Sequence, residues 1–332
     1  MPRLVLCALL VGTMLVPLTV LADEVVVYSA RKEHLIKPLF DRYTKETGVS
    51  IRYITDKAGP LLQRLRAEGK RTPADMLITV DAGNLWHAAE SGVLAEVDSP
   101  VLNANVPVNL RDPKGRWYGL SERARTIVYS TERVAADQLS SYEDLADPRW
   151  KGRLCLRTSK KVYNQSLVAT LIARHGEEKA EAIVRGWVAN LAAAPYSNDT
   201  KAMQAVEAGQ CDVTIVNTYY FGRLQKKQPD IKLALFWANQ DSSGVHINVS
   251  GAGVTTHAKH PAAAQKLLEW LSSETAQAGF AGSNMEYPVN AKVAADATVS
   301  AWGRFKADEL NVNEAGRQQA AAIRLMDRAG YR

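Results

Sequence analysis

Two tyrosines, Tyr219 and Tyr220, stand side by side in the string N-T-Y-Y-F-G, directly after an apolar run. A third, Tyr163, opens the run Y-N-Q-S-L-V, whose spacing is helical. Adjacent phenols at the ends of elements are poor core material. They suit a small, hard, oxygen-seeking cation such as Fe(III). A free phenol has a pKa of about 10, and a bound trivalent ion reverses its preference for the neutral form, so three phenolates would balance the ion's charge. Capture would release protons, and affinity would fall in acid. Tyrosine also serves cores and sugar-binding grooves, so the residue type alone leaves both readings open.

The elements around these tyrosines place them on one edge. Ligands of open α/β sheets sit at the carboxyl ends of strands. An apolar strand over 212–217 precedes the tyrosine pair, and a strand over 153–158 precedes Tyr163. Of the three cysteines, Cys7 falls in an amino-terminal apolar stretch, leaving Cys155 and Cys211. An even pair in an exported protein reads as a disulfide, with two free buried thiols as the alternative. A bridge would hold the two strands about 5.5–6 Å apart between Cα atoms, bringing Tyr163 beside the pair. Neighbouring side chains diverge in a regular strand, whereas in a turn they can converge.

The rest of the chain supplies the frame. Short apolar strands are expected at 25–29, 51–55 and 75–80. Helical spacing follows each: Leu35, Ile36, Leu39, Phe40 and Tyr43 up to Gly48, with Pro38 in an early turn; Leu61, Leu62 and Leu65; Leu85, Trp86 and Ala89 up to Gly92. Alternating strands and helices predict a parallel α/β sheet. The pattern restarts after 100–116, with strands at 126–130, 153–158, 212–217 and 247–256. Helices are expected at 163–174, 177–191, 199–208 and 260–273, with an amphipathic helical tail beyond 300.

Residues 1–22 carry one early positive charge, an apolar centre and the ending V-L-A, the pattern of a cleaved secretory signal peptide. An uncleaved anchor is the alternative reading of the same stretch. With 41 Lys and Arg against 35 Asp and Glu, the chain is mildly basic. It has no Lys/Arg stripe interleaved with aromatics, so no nucleic-acid partner is expected.

Beyond these local signals, the chain resembles the periplasmic ferric-ion-binding proteins, substrate-binding components of iron ABC importers within the extracellular solute-binding family. The segments that carry the resemblance include V-V-V-Y-S-A-R at 25–31, P-A-D-M-L-I-T-V-D at 73–81 and W-Y-G-L-S-E-R-A-R at 117–125. They also include V-Y-N-Q-S-L-V at 162–168, G-Q-C-D-V-T-I-V-N-T-Y-Y-F-G at 209–222, N-V-S-G at 248–251 and N-M-E-Y-P-V at 284–289.

The resemblance implies an α/β, two-lobed periplasmic-binding-protein-like fold (type II), with the ligand cleft between lobes and a hinge of two crossing segments near 123–130 and 250–256. The first lobe would be discontinuous, 23–122 and 254–332, and the second would be 123–253. Tyr163, Tyr219 and Tyr220 would ligate Fe(III). Arg123 would hold a synergistic anion such as carbonate, which a planar guanidinium binds with two donors, and Arg31 would lie nearby. Many relatives carry a further tyrosine just after the arginine that Arg31 matches. Here Lys32, Glu33 and His34 follow, so Glu33 or His34 would be a substitute ligand, or the anion and water would fill the positions. The implied partner is an inner-membrane ABC permease, met in the periplasm by a monomer.

Two rivals remain. In one, the tyrosines stack on a small anionic organic or phosphorylated solute while Arg123 binds its charge. In the other the chain is a secreted hydrolase, but it has no G-x-S-x-G elbow, no H-E-x-x-H and no Ser/His/Asp grouping by local motif. A binding protein, not an enzyme, is the expectation.

Overall fold

The computed structural model describes residues 24–332; the leader expected at 1–22 lies outside the described residues. Strand β1 (Glu24–Ser29) leads into helix α1 (Glu33–Thr47), β2 (Ser50–Thr55), α2 (Ala58–Glu68), β3 (Met76–Val80), α3 (Ala82–Glu90) and α4 (Pro100–Asn105). The long strand β4 (Tyr118–Ser130) follows, then β5 (Leu154–Cys155), α5 (Val162–His175), α6 (Glu177–Ala189), α7 (Asp199–Glu207), β6 (Val213–Asn217), α8 (Thr218–Lys227) and β7 (Leu233–Phe236). The chain closes with β8 (Ile247–Val254), α9 (Pro261–Ser272), α10 (Glu274–Gly282), α11 (Ala297–Ser300), α12 (Glu314–Arg317) and α13 (Gln319–Arg328).

Local sequence explains these elements. In α1 the buried positions are Leu35, Ile36, Leu39, Phe40 and Tyr43, one helical stripe. Gly48 ends it with φ 76°, a left-handed cap whose N–H donates to the Thr44 carbonyl. Pro38 sits in the second turn of α1, one turn further in than the position where its missing N–H costs least.

The strands run in the order β2-β1-β3-β8-β4-β6-β5, with β7 also beside β4. The sheet is mixed, not parallel: β1 pairs in parallel with β2 and β3, but β8 runs antiparallel to β3 and to β4, and β6 antiparallel to β4. The reversal comes from the two strands that carry the chain between halves. Residues Tyr118 to Ala124 of β4 pair with β8, and from Arg125 onward β4 turns to β6 and β7. The changeover on β4 therefore falls at Ala124–Arg125. On β8, Ile247 to Ala252 pair with β4 and Ser250 to Val254 pair with β3, so the two pairings overlap at Ser250–Ala252.

The carboxy-terminal segment, expected in the first lobe, packs against elements of both halves of the chain. Helices α9 and α10 pack near β1, α1 and β4, whereas α13 packs on α5 and α6. Helix α12 wedges between α3 and α5, so tightly that a Cβ on Gly316 would lie 2.3 Å from the Trp86 Cβ.

In the second half, Cys155 and Cys211 are bonded with Cα atoms 5.9 Å apart across 56 residues of chain. Closing a loop of that length removes unfolded-state entropy worth about 4 kcal/mol in the chain-entropy model. Strand β5 is only two residues long and pairs in parallel with β6, so the bridge joins the two strands that lead toward the tyrosines.

One buried side chain locks the same region from the other end. The Arg125 guanidinium donates to Asn164 Oδ1 (2.5 and 3.0 Å), Asn217 Oδ1 (3.0 Å), Asp199 Oδ2 (3.1 Å) and the Ile215 carbonyl (3.1 Å). It thereby ties β4 to the amino ends of α5 and α7 and the carboxyl end of β6. Arg125 is 1% exposed and Asp199 0%, so Arg125→Ala would strand a buried carboxylate. Breaking such a pair costs about 3–5 kcal/mol. The lower end is expected here because Arg157 Nη1 stays 3.5 Å from Asp199. Urea unfolding should show the loss, and an unchanged midpoint would remove Arg125 from the frame.

Candidate metal-binding cleft

The frame delivers three phenols to one place. Tyr163 is the second residue of α5, and Tyr219 and Tyr220 are the second and third residues of α8. The pair therefore sits in the first turn of a helix, not in the turn expected after a strand. Its rings converge with centroids 4.5 Å apart at 37°. The first N–H groups of a helix lack partners within it, and its amino end carries partial positive charge, which favours anionic groups nearby. Asn217, held by Arg125, donates to the Tyr219 hydroxyl at 3.2 Å.

Without a cation, Tyr163 and Tyr219 are held neutral. Burial, reinforced by Tyr220, pushes the Tyr163 hydroxyl up to about 12 against the lowering effect of Arg123. Burial together with Tyr163 and Tyr220 raises Tyr219 well above the ordinary phenol value.

A set of cations surrounds the rings. Lys161 Nζ lies 4.7 Å from the Tyr163 ring centre, and Arg157 and Arg123 approach the same ring at 5.5 and 5.7 Å. Arg223 stands 5.2 Å from the Tyr219 ring and 5.8 Å from that of Tyr220. Burial, with Arg157 beside it, pulls the Lys161 ammonium below its usual value. The cleft encloses about 560 Å³; Lys32, Lys57 and Asp56 line it from the first half, opposite the tyrosines.

The two arginines singled out from sequence both line this cleft, in different states. Arg31 is 2% exposed. It donates to Glu286 at 3.0 Å and to the Phe280 carbonyl at 2.5 Å, with its Nε left unpartnered. Arg123 is less engaged. Its Nη1 reaches Ser250 Oγ at 3.4 Å, and its buried Nη2 has no hydrogen-bond partner. A buried guanidinium with a free donor is what a planar oxyanion would meet.

Glu33 and His34 lie exposed at the start of α1, outside the residues that line the cleft, and Glu33 accepts from the Tyr53 hydroxyl at 3.0 Å. Among the described residues no group of three or more His, Cys, Asp or Glu side chains is placed to hold a metal.

Sequence reasoning missed Arg157, Lys161 and Arg223. Arg223 had a signal: it follows Tyr219 and Tyr220 by four and three residues, the spacing of helix neighbours. Arg157 and Lys161 sit in an irregular connection, where no period marks which way a side chain faces. Arg125 was visible only as the second arginine of R-A-R, two residues beyond Arg123 and hence on the same strand face.

The profile of the family described as bacterial extracellular solute-binding protein matches residues 71–308. Iron uptake protein A1 of Synechocystis is 42% identical over 316 residues, covering 93% of this chain and 88% of that protein. A Trichodesmium protein (IdiA, FutA), solved in complex with iron and citrate ligands, superposes with a TM-score of 0.91 at 42% identity, over 93% of this chain and all of the other. The ferric iron-binding protein A of Mannheimia haemolytica, solved in an open conformation, gives 0.87 at 36% identity over 93% and 99%. The two-lobed binding-protein architecture is shared with these structures, and the chain belongs to the bacterial extracellular solute-binding proteins.

Proposed function

We propose that this protein captures ferric iron in the periplasm on the phenolates of Tyr163, Tyr219 and Tyr220, together with an oxyanion on Arg123, and delivers it as a monomer to an inner-membrane ABC importer. The observation that carries this reading is the convergence of three phenols, Tyr163 and Tyr219 buried and Tyr220 partly buried, at two helix amino ends in one cleft. Phenolate oxygens match a hard trivalent ion, and the ion supplies the charge that holds them deprotonated. The surrounding Arg123, Arg157, Lys161 and Arg223 leave positive charge over once three phenolates have balanced the metal, which favours an accompanying anion. Carbonate fits the fork of Arg123; the citrate of the Trichodesmium complex supports a carboxylate in the same role. Arg31 contributes positive potential and its one free donor.

In this reading the lobes meet along β4 and β8, near 123 and 254, with 24–122 and α9–α10 on one side and the tyrosines on the other. Hinge closure over the loaded site is the motion by which periplasmic binding proteins trap ligands. Glu33 and His34 receive no ligand role. The cationic lining also favours the second reading, a small anionic organic or phosphorylated solute without metal.

Iron retained after desalting separates the two. The wild type loaded with ferric citrate should keep close to one iron per chain. Loss of an outer-shell partner of a metal ligand costs about 10–100-fold in affinity, so Tyr163→Phe, Tyr219→Phe and Tyr220→Phe should each weaken retention by more than about 100-fold. Loss of all iron on desalting from a protein that still holds citrate would favour the organic ligand.

Acid provides a second check. Because Tyr163 and Tyr219 are neutral when empty, each must release a proton on binding. Three phenols ionising together make the apparent affinity fall by about three decades for each unit of lowered pH. Retention that held constant down into the ordinary carboxylate range would contradict phenolate ligation.

A further inference from the structure

Asp81 is the most constrained residue beside the cleft. It is fully buried and carries φ 81° and ψ 128°, a strained backbone for a residue with a side chain. Its carboxylate gathers donors from three elements. Oδ1 accepts from the Gly83 N–H at 2.9 Å, capping α3, and from the Ser166 hydroxyl of α5 at 2.7 Å. Oδ2 accepts from Asn248 Nδ2 of β8 at 3.1 Å. The Asn248 Oδ1 is itself taken by the Ala82 and Val249 N–H groups. Burial raises the Asp81 pKa, but the donors on both oxygens and the nearby Arg123 favour its ionised form.

The remaining neighbour is Arg123, whose Nη2 lies 3.8 Å from Asp81 Oδ2 and is the same atom that has no hydrogen-bond partner. At that separation a carboxylate offsets much of a buried guanidinium's charge. It is nevertheless too far to occupy the N–H, which bonds at about 2.7–3.2 Å. Held back by its three donors, Asp81 cannot move in to complete the pair.

We propose that Asp81 is a positioning residue that sets the anion affinity of the cleft: it stabilises the buried Arg123 charge from just beyond hydrogen-bond reach, leaving the guanidinium donor free for the anion that accompanies the metal. The inference rests on the anion role assigned to Arg123 above. Strain and buried charge at Asp81 are then the counterpart of a donor kept open on Arg123. Without the carboxylate, Arg123 would stand uncompensated and hold an anion more tightly, at the expense of release.

The test is calorimetric titration of the iron-free protein with citrate and with bicarbonate. Asp81→Asn should bind citrate about tenfold more tightly than the wild type, from removal of one charge a few ångströms away. The gain should vanish when Arg123→Gln is added, which a purely structural role would not produce. Because Asp81→Asn turns a donor toward Asn248, Asp81→Ser is the companion variant: it keeps a cap for Gly83 and removes the charge without that clash. Unchanged citrate affinity in a folded variant, or a gain that persists with Arg123→Gln, overturns the inference. So does failure of both variants to fold, which would make Asp81 a folding residue. If iron is retained but no protein takes up anion, this inference alone fails; if the wild type retains no iron either, the ferric reading fails with it.

Discussion

The ion pair between Arg125 and Asp199 is the constraint on which the cleft depends. Both charges are buried and lie 3.1 Å apart, and each reaches beyond the other. Arg125 holds Asn164, the neighbour of Tyr163, and Asn217, which in turn donates to Tyr219. Asp199 accepts the Asn217 N–H and stands 3.5 Å from Arg157, the cation over the Tyr163 and Tyr220 rings. One charge pair therefore sets the position of all three phenols relative to one strand. A buried pair contributes little net stability against a hydrophobic replacement; what this one supplies is placement. The disulfide ties the same two segments together, from the end of β5 to just ahead of β6.

Placement matters because the phenols and cations are an unusual combination to bury together. Several cations beside these phenols leave the cleft strongly positive, and among the described residues no cluster of carboxylates compensates it. Two carboxylates close to the site are already engaged: Glu286 with Arg31 and Ser121, and Asp81 with its three donors. Such a cleft draws anions first. In the proposed reading, a ferric ion carried by a carboxylate chelator would meet a surface that attracts its ligand and would exchange that ligand's oxygens for phenolates. Lys32 and Lys57 across the cleft add to that attraction, with Asp56 beside them as one acid.

The tyrosines were legible because their oddness is local: a Y-Y pair after an apolar strand needs no tertiary knowledge to be noticed. The disulfide was legible by counting, and α1, α5 and β6 by periodicity. The mixed sheet was not, because alternation of strands and helices carries no sign of direction; the antiparallel pairings of β8 with β3 and β4, and of β4 with β6 and β7, come from how the chain returns. Arg125 and Asp81 escaped for a related reason. Each draws its meaning from partners far away in sequence, and a buried arginine or aspartate looks like any surface charge until those partners meet. What the tail packs on was not legible because an amphipathic stripe states that a helix packs, and not on what.

The central claim is that the three phenols ligate ferric iron as phenolates. Resonance Raman spectroscopy of the iron-loaded protein, excited in its visible absorption band, tests it most directly. The account predicts a ferric-to-phenolate charge-transfer band with enhanced tyrosinate ring modes, both diminished in Tyr219→Phe. A colourless protein that still retains iron, or a band without tyrosinate modes, would contradict it.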